Sequence, residues 1–345
     1  MIWNSLNDFH KNISEFEKNM AYKTQLEEFY KNVNGFRLRG AVLNYVSQLR
    51  SQYRFERQFE YKSFIISLYG YLELFIESVI AEYIDEIKKL LSSYNDLDTK
   101  TRDHYRKEML AMYNRRKTPK IAHLTDGFIS ENLYKTLQKG AMEIMPEAFY
   151  QSGGNYNFGE ISQSFKALGI TEFVNEIKLY DPLKSYFNSL HYPANASSEV
   201  LFQKLDDLVV RRNEIAHGYN KENRLSNTVI LQYKDFIKVF CETVIALLTD
   251  DLLRKKWNTL EYEAECSHMY QNNKVRIKGD FLVFEDMDVI QYRQGARPGY
   301  TENHIISLSV NGTMVSEHLS EENSGDNIVV QMEKAAARKA LLRFN

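Results

Sequence analysis

A mainly α-helical protein with a small β-rich domain at its C-terminal end is the fold class this sequence predicts, and three observations predict it. Apolar residues from Phe55 to about Tyr94 recur at intervals of three and four, the period of a long helix with a broad buried face. A second such run, "NTVILQYKDFIKVFCETVIALLTDDLLRKKW", begins at Asn227. Beyond about Cys266 the pattern alternates with a period of two, and Asn311-Gly312 stands between two strand-like runs as a hairpin signal. The expected boundaries are a helical domain over 1–265, with its core at about 50–250 and a helical and loop insertion at about 95–195. A β-rich domain over 270–345 follows, ending in a short helix in "EKAAARKALLRF".

Each element has a local reason. In the long helix Phe64, Ile65, Leu68, Leu72, Phe75, Ile76, Val79, Ile80, Tyr83, Ile84 and Ile87 form the apolar face. Gly70 interrupts it at a cost of roughly 1 kcal/mol against alanine, which is explained if another backbone approaches closely there. The Gly and Asn content of "QSGGNYNFGE" predicts a loop, and a short helical segment follows in "ISQSFKALGI". Another loop, "HYPANASS", offers Ser197 or Ser198 as the cap of a helix striped by Leu201, Leu205 and Leu208.

Composition excludes several function classes. The 345 residues carry a formal charge of −2, so the chain lacks the strong positive balance of a simple nucleic-acid binder, although a local basic face is allowed. Cys241 and Cys266 fit no zinc spacing and no disulfide framework, so neither metal nor cofactor is expected, and a reduced, cytoplasmic setting is. The N-terminal stretch has no apolar leader core, and no segment reads as reaching the roughly 18 apolar residues that span a bilayer. No phosphate-binding glycine loop of the Walker or G-x-G-x-x-G type is present. The one basic block lies in Lys100–Lys120, where Arg102, Arg106, Arg115, Arg116 and Lys117 could meet phosphates or simply form a solvated helix face.

The stretch "LDDLVVRRNEIAHGYN", residues 205–220, is harder to explain as packing. Continuing its stripe by four brings up Arg212 from Leu208 and Asn213 from Val209, polar groups that are costly to bury without partners. Asn213 and His217 are four apart and share a face. Gly218 then marks a helix end, where the dipole favours an imidazolium and a histidine can exchange a proton near neutral pH. On the long helix Glu73 sits four after Tyr69 on an otherwise apolar face and needs a donor, with Arg212 or a tyrosine hydroxyl such as Tyr69 or Tyr71 available.

"LVVRRNEIAHG" resembles the RNase motif of the HEPN superfamily, an all-helical family whose active members are metal-independent endoribonucleases of toxin, antiphage and RNA-processing systems. A bare Arg-then-His spacing is unspecific, since Arg116 to His123 and Arg297 to His304 also satisfy it. Specificity comes from the preceding "LDDLV", from Asn213 directly after Arg212, and from "IAHG". "SLYGYLELFIESVIAEYI" and "GGNYNFGEISQSFKALGI" look like the long helix and connector of the branch found in bacterial defence and toxin–antitoxin modules. The resemblance implies a HEPN-like helical bundle over roughly 50–250, leaving the β domain outside it.

For function it implies that His217 transfers protons, Arg212 stabilises the developing phosphorane charge and Asn213 orients, with Glu73 and Arg211 in support. On a helix, residues five apart point about 140° from each other, so Arg212 and His217 converge only if the helix ends between them or a second copy contributes. The family's solution is a homodimer with a composite cleft, and the expected partners are therefore RNA, a second copy and an antitoxin or other regulatory protein, with no membrane. Two other readings compete: a non-catalytic HEPN-fold dimerisation or RNA-binding module, and a sensor centred on the β domain. The last lacks an electrostatic footprint, because nine Lys and Arg face ten Asp and Glu from residue 266 onward.

Overall fold

The computed structural model describes the chain except residues 1–2, 33–40, 116–120, 151–154, 194, 219–224, 280, 294–298, 321–325, 337–339 and 345. It divides into two compact units, Met1–Leu247 and Leu248–Asn345. The division falls inside a helix rather than in the loop after it.

The first unit is helical throughout: α1 (Asn4–Asn32), α2 (Ala41–Leu90), α3 (Thr99–Arg115), α4 (Asp126–Leu133), α5 (Phe158–Ala167), α6 (Phe173–Glu176), α7 (Leu183–Ser189), α8 (Ser198–Leu201), α9 (Gln203–Ala216) and the first part of α10 (Asn227–Thr259). Its spine is α2, whose Leu68, Leu72, Ile76, Val79 and Ile80 are fully buried. Each such side chain withdrawn from water contributes on the order of 2 kcal/mol. The segment Gln58–Leu90 is also long and apolar enough, by length and composition, to cross a membrane, contrary to the expectation from the sequence; these same residues instead form the middle of the bundle.

The polar N-terminal stretch, to which the sequence reading gave no element, is the amphipathic helix α1. Phe9, Ile13, Phe16 and Met20 line its buried side, and Phe9 and Phe16 meet Phe75 and Phe64 of α2 at ring distances of 5.4 and 5.2 Å. Ser5 fixes its start, its backbone N–H and hydroxyl both donating to Glu82. Of the expected connector loop, residues 151–154 lie outside the described residues, and the helix after it starts earlier than expected, at Phe158, where Asn157 caps α5 by accepting from the N–H of Glu160 at 2.8 Å. Before the motif helix, Ser197 occupies the cap position of α8 but makes no side-chain capping bond. Phe202 separates α8 from α9 and stacks on Phe158 at 3.7 Å.

The second unit joins the end of α10 to nine strands: β1 (Tyr262–Met269), β2 (Lys274–Lys278), β3 (Phe281–Phe284), β4 (Met287–Arg293), β5 (Gly299–Val310), β6 (Thr313–Val315), β7 (Glu317–Ser320), β8 (Ile328–Met332) and β9 (Leu341–Phe344). The order β4-β9-β1-β2-β8-β5, with β5 pairing back on β4, closes a six-stranded barrel, and β6 extends β5. Inward residues such as Val275, Ile277, Leu308, Val330 and Phe344 fill it. The hairpin signal holds: Val310 pairs with Thr313, and Asn311 and Gly312 both take positive φ, 52° and 86°, as a two-residue turn of type I′ requires. Gly279, at φ 155°, leaves no room for a side chain, since a Cβ would lie 2.6 Å from the carbonyl oxygen of Glu263.

The short closing helix is corrected where the stretch is described; its residues 337–339 lie outside the described residues. Leu341–Phe344 is strand β9, pairing with β1 and β4. Its alternating burial, with Leu342 and Phe344 inside, closes the barrel, and that gain overrides the helix propensity of "AAARKALL".

Candidate functional site

The motif helix α9 packs on α2 through Leu205, Leu208 and Val209, all buried. Its carboxylates anchor neighbouring elements. Asp206 accepts the backbone N–H of Phe158 at 2.9 Å, tying α9 to the first turn of α5. Asp207 accepts from the Nε of Arg211, one turn later, at 2.6 Å, and from the hydroxyl of Tyr233.

Arg211 also donates to the hydroxyl of Tyr61 at 3.3 Å. Its guanidinium is held above its ordinary pKa: burial works against the charge, and hydrogen bonds to Asp207 and Tyr61 outweigh it. The same web pushes the Tyr233 hydroxyl up to about 12, first through burial and then through its bond to Asp207. Arg211, expected from the sequence as a phosphate contact, is therefore engaged inside the bundle.

Arg212 is placed differently. Its guanidinium lies over the ring of Tyr69, 4.9 Å from the centroid, and Nη1 donates to Oδ1 of Asn213 at 2.9 Å. The cation–π contact holds the charge without neutralising it. Tyr69 is itself fixed, buried to 2% exposure, with its hydroxyl oxygen accepting from the N–H of Tyr156 at 3.1 Å. Tyr156 in turn donates its hydroxyl to Glu77 at 2.9 Å. The long helix, the connector and the motif helix thus meet at one aromatic platform beneath Arg212.

Glu73 is half-buried on α2, one turn after Tyr69. Tyr69 is the α2 residue whose ring lies under Arg212, and Arg212 and Asn213 are half-buried rather than sunk in the core.

The helix end falls where Gly218 predicts it. His217 is the C-cap, its N–H donating to the carbonyl of Asn213 at 2.9 Å, and Gly218 takes φ 75°. The His217 side chain is exposed. Because helical geometry persists to Ala216, ideal helix directions set Arg212 and His217 about 140° apart around the axis of α9.

Of the basic block, Arg102 and Arg106 sit on α3, with Arg106 paired to Asp103 at 3.2 Å and Arg102 reaching Thr99 at 3.3 Å. Arg115 ends α3, and Arg116 and Lys117 lie outside the described residues. Among the described residues no hydrogen bond, ion pair or ring contact joins this block to α9. A cleft of about 560 Å³ between α5, α8 and α9 is lined by Lys166, Asp206 and Val210 among others, and none of the three motif side chains borders it. No cluster of His, Cys, Asp and Glu among the described residues could hold a metal ion.

The sequence reading missed the Asp207, Arg211, Tyr61 and Tyr233 web and the role of Tyr156. The i, i+4 spacing of Asp207 and Arg211 was the available signal; the two tyrosines arrive only through tertiary packing. The family model described as RiboL-PSP-HEPN matches residues 41–250, more than half of the chain. No curated protein and no solved structure matches it.

Proposed function

The chain belongs to the RiboL-PSP-HEPN family, and from that premise we propose that it is a metal-independent endoribonuclease whose cleft is completed by a second copy. The observation that carries this reading is the contrast at the motif. Arg212 is held over Tyr69 with its charge unspent, while His217 stands exposed at the helix end, on the face of Asn213.

Those groups supply what the chemistry needs. A base removes the proton of a ribose 2′-hydroxyl, which attacks the adjacent phosphorus; the P–O5′ bond breaks and an acid protonates the leaving oxygen. One histidine per protomer, doubled by dimerisation, provides both base and acid. Arg212 faces the charge that builds on the phosphorane oxygens, and the amide of Asn213 fixes the guanidinium. Because the residues themselves offer base, acid and cation, the reaction runs without a cofactor. A role as a toxin or antiphage effector in the cytoplasm, restrained by an antitoxin or similar protein, fits an RNase of this kind. Arg211 serves the bundle rather than the substrate.

The test is RNA cleavage by the purified chain in excess EDTA, wild type beside His217→Ala, with end-group analysis. Fragments ending in 2′,3′-cyclic phosphate and 5′-hydroxyl, absent with the variant, are expected. Cleavage that survives His217→Ala, or that EDTA abolishes, refutes the proposal.

A further inference from the structure

Among the described residues, one face of α2 is largely open. Ile66 is 48% exposed and Leu74 54%, and Phe59, 73% exposed, stands at its edge, where it also borders the cleft toward α1; with exposed Gly70 they lie on one side of the helix, within roughly 80° of arc. Gly70 is the anomaly on that face. A glycine inside a helix loosens it, and the usual reason is a backbone that must come close. Yet a Cβ built on Gly70 meets nothing within 4 Å among the described residues. None of the described residues makes the close approach expected from the sequence.

We propose that this face is the seam along which a second copy packs, α2 antiparallel to α2, with the two-fold axis passing through Gly70. Three features of the face fit a copy of itself. An antiparallel match about Gly70 sets Ile66, four residues before it, against Leu74, four residues after it, twice over, so the two half-exposed aliphatics cover each other. Charge matches in the same register: Lys62 precedes the glycine and Glu73 and Glu77 follow it, so the antiparallel arrangement brings Lys62 toward carboxylates where a parallel one would oppose carboxylates to each other. Two glycines at the crossing let the helix axes approach more closely than side chains otherwise permit.

The seam also bears on the site. Tyr69, which carries Arg212, directly precedes the crossing residue, so each copy's Arg212 stands beside the axis. This second consequence rests on the nuclease reading; the seam itself does not.

Disulfide trapping and solution mass of the full chain test the seam. Cys241 and Cys266 are buried, so introduced thiols dominate. Gly70→Cys forms a covalent dimer on mild oxidation, because a residue on the axis meets itself within bridging distance. Ile66→Cys and Leu74→Cys each fail alone and cross-link when mixed. Leu74→Asp weakens self-association by about tenfold or more, and Gly70→Leu weakens it while raising the thermal midpoint of the monomer, a pair of changes that misfolding would not give. If the chain stays monomeric at micromolar concentrations, or forms dimers that Leu74→Asp does not disturb and Gly70→Cys does not trap, the seam is overturned even where RNA is cut. If the trapping pattern appears and no RNA is cut, the seam stands and the nuclease reading alone falls.

Discussion

Arg211 and Arg212 are neighbours in sequence and opposites in use. Arg211 turns into the bundle, where Asp207 and Tyr61 take up its hydrogen bonds and its charge. Arg212 turns to the Tyr69 platform, where an aromatic face and a neutral amide hold it, and no ion pair among the described residues cancels its charge. A step of about 100° along the helix separates a cation bonded into the bundle from one that the proposed function assigns to an outside anion. A carboxylate partner would have stabilised Arg212 more and left it less able to meet phosphate.

The largest expected effect separates the pair by activity. Arg212→Ala lowers RNA cleavage by about 10²- to 10³-fold and shifts stability by only about 0.5–1 kcal/mol, measured by single-turnover cleavage and urea unfolding. Arg211→Ala reverses the balance. It leaves Asp207 and Tyr61 short of a donor, costs about 2 kcal/mol of stability, and leaves cleavage per folded molecule within about twofold. Equal loss of cleavage in the two variants would break the comparison.

A smaller effect appears at alkaline pH. The Tyr233 hydroxyl titrates at about 12 in the folded chain against about 10 when unfolded, so the folded state holds this proton more tightly. Its contribution is complete below about pH 10 and is lost as pH rises toward 12. Thermal midpoints followed across that window should fall less steeply for Tyr233→Phe than for wild type. Tyr69→Phe should cost about 1 kcal/mol for the hydrogen bond to Tyr156 and spare cleavage, because the ring remains; Tyr69→Leu should lose cleavage. If the two variants behave alike, the ring is not what presents Arg212.

The smallest effect lies in the barrel. His304 sits between Asp288 and Asp286, each at 2.8 Å, and these hydrogen bonds raise its pKa. Its stabilisation is full below the ordinary histidine range and declines as pH rises through the raised value. His304→Gln should therefore flatten the pH dependence of the barrel's melting near neutrality, leaving RNA cleavage unchanged.

Features of the site confined to neighbouring residues were legible in the sequence. Gly218 announced the end of α9, the i, i+4 relation joined Asn213 to His217, and Asn311-Gly312 announced its hairpin. Relations across the chain were legible only in outline. Tyr69 stood out only as one of three possible donors to Glu73, whereas its ring is the platform for Arg212. The sequence pattern raised no sign of Tyr61 or Tyr233, because their contact with Asp207 and Arg211 depends on how three helices pack. The last strand misled for a physical reason: an Ala- and Lys-rich segment prefers a helix by itself, and barrel closure outweighs that preference. Gly70 posed a question that none of the described residues answers.

Closure of the barrel has a consequence for how that unit can be approached. Every strand of the ring has a hydrogen-bonded neighbour on each side, and the open edges among the described residues are confined to short β6 and the β3–β7 ribbon. A protein that docks by lending a strand would find almost no backbone to zip onto. Whatever recognises this unit must read the shape and charge of its side chains and turns, and a designed inhibitor that targets the barrel should be a rigid surface rather than an extended peptide.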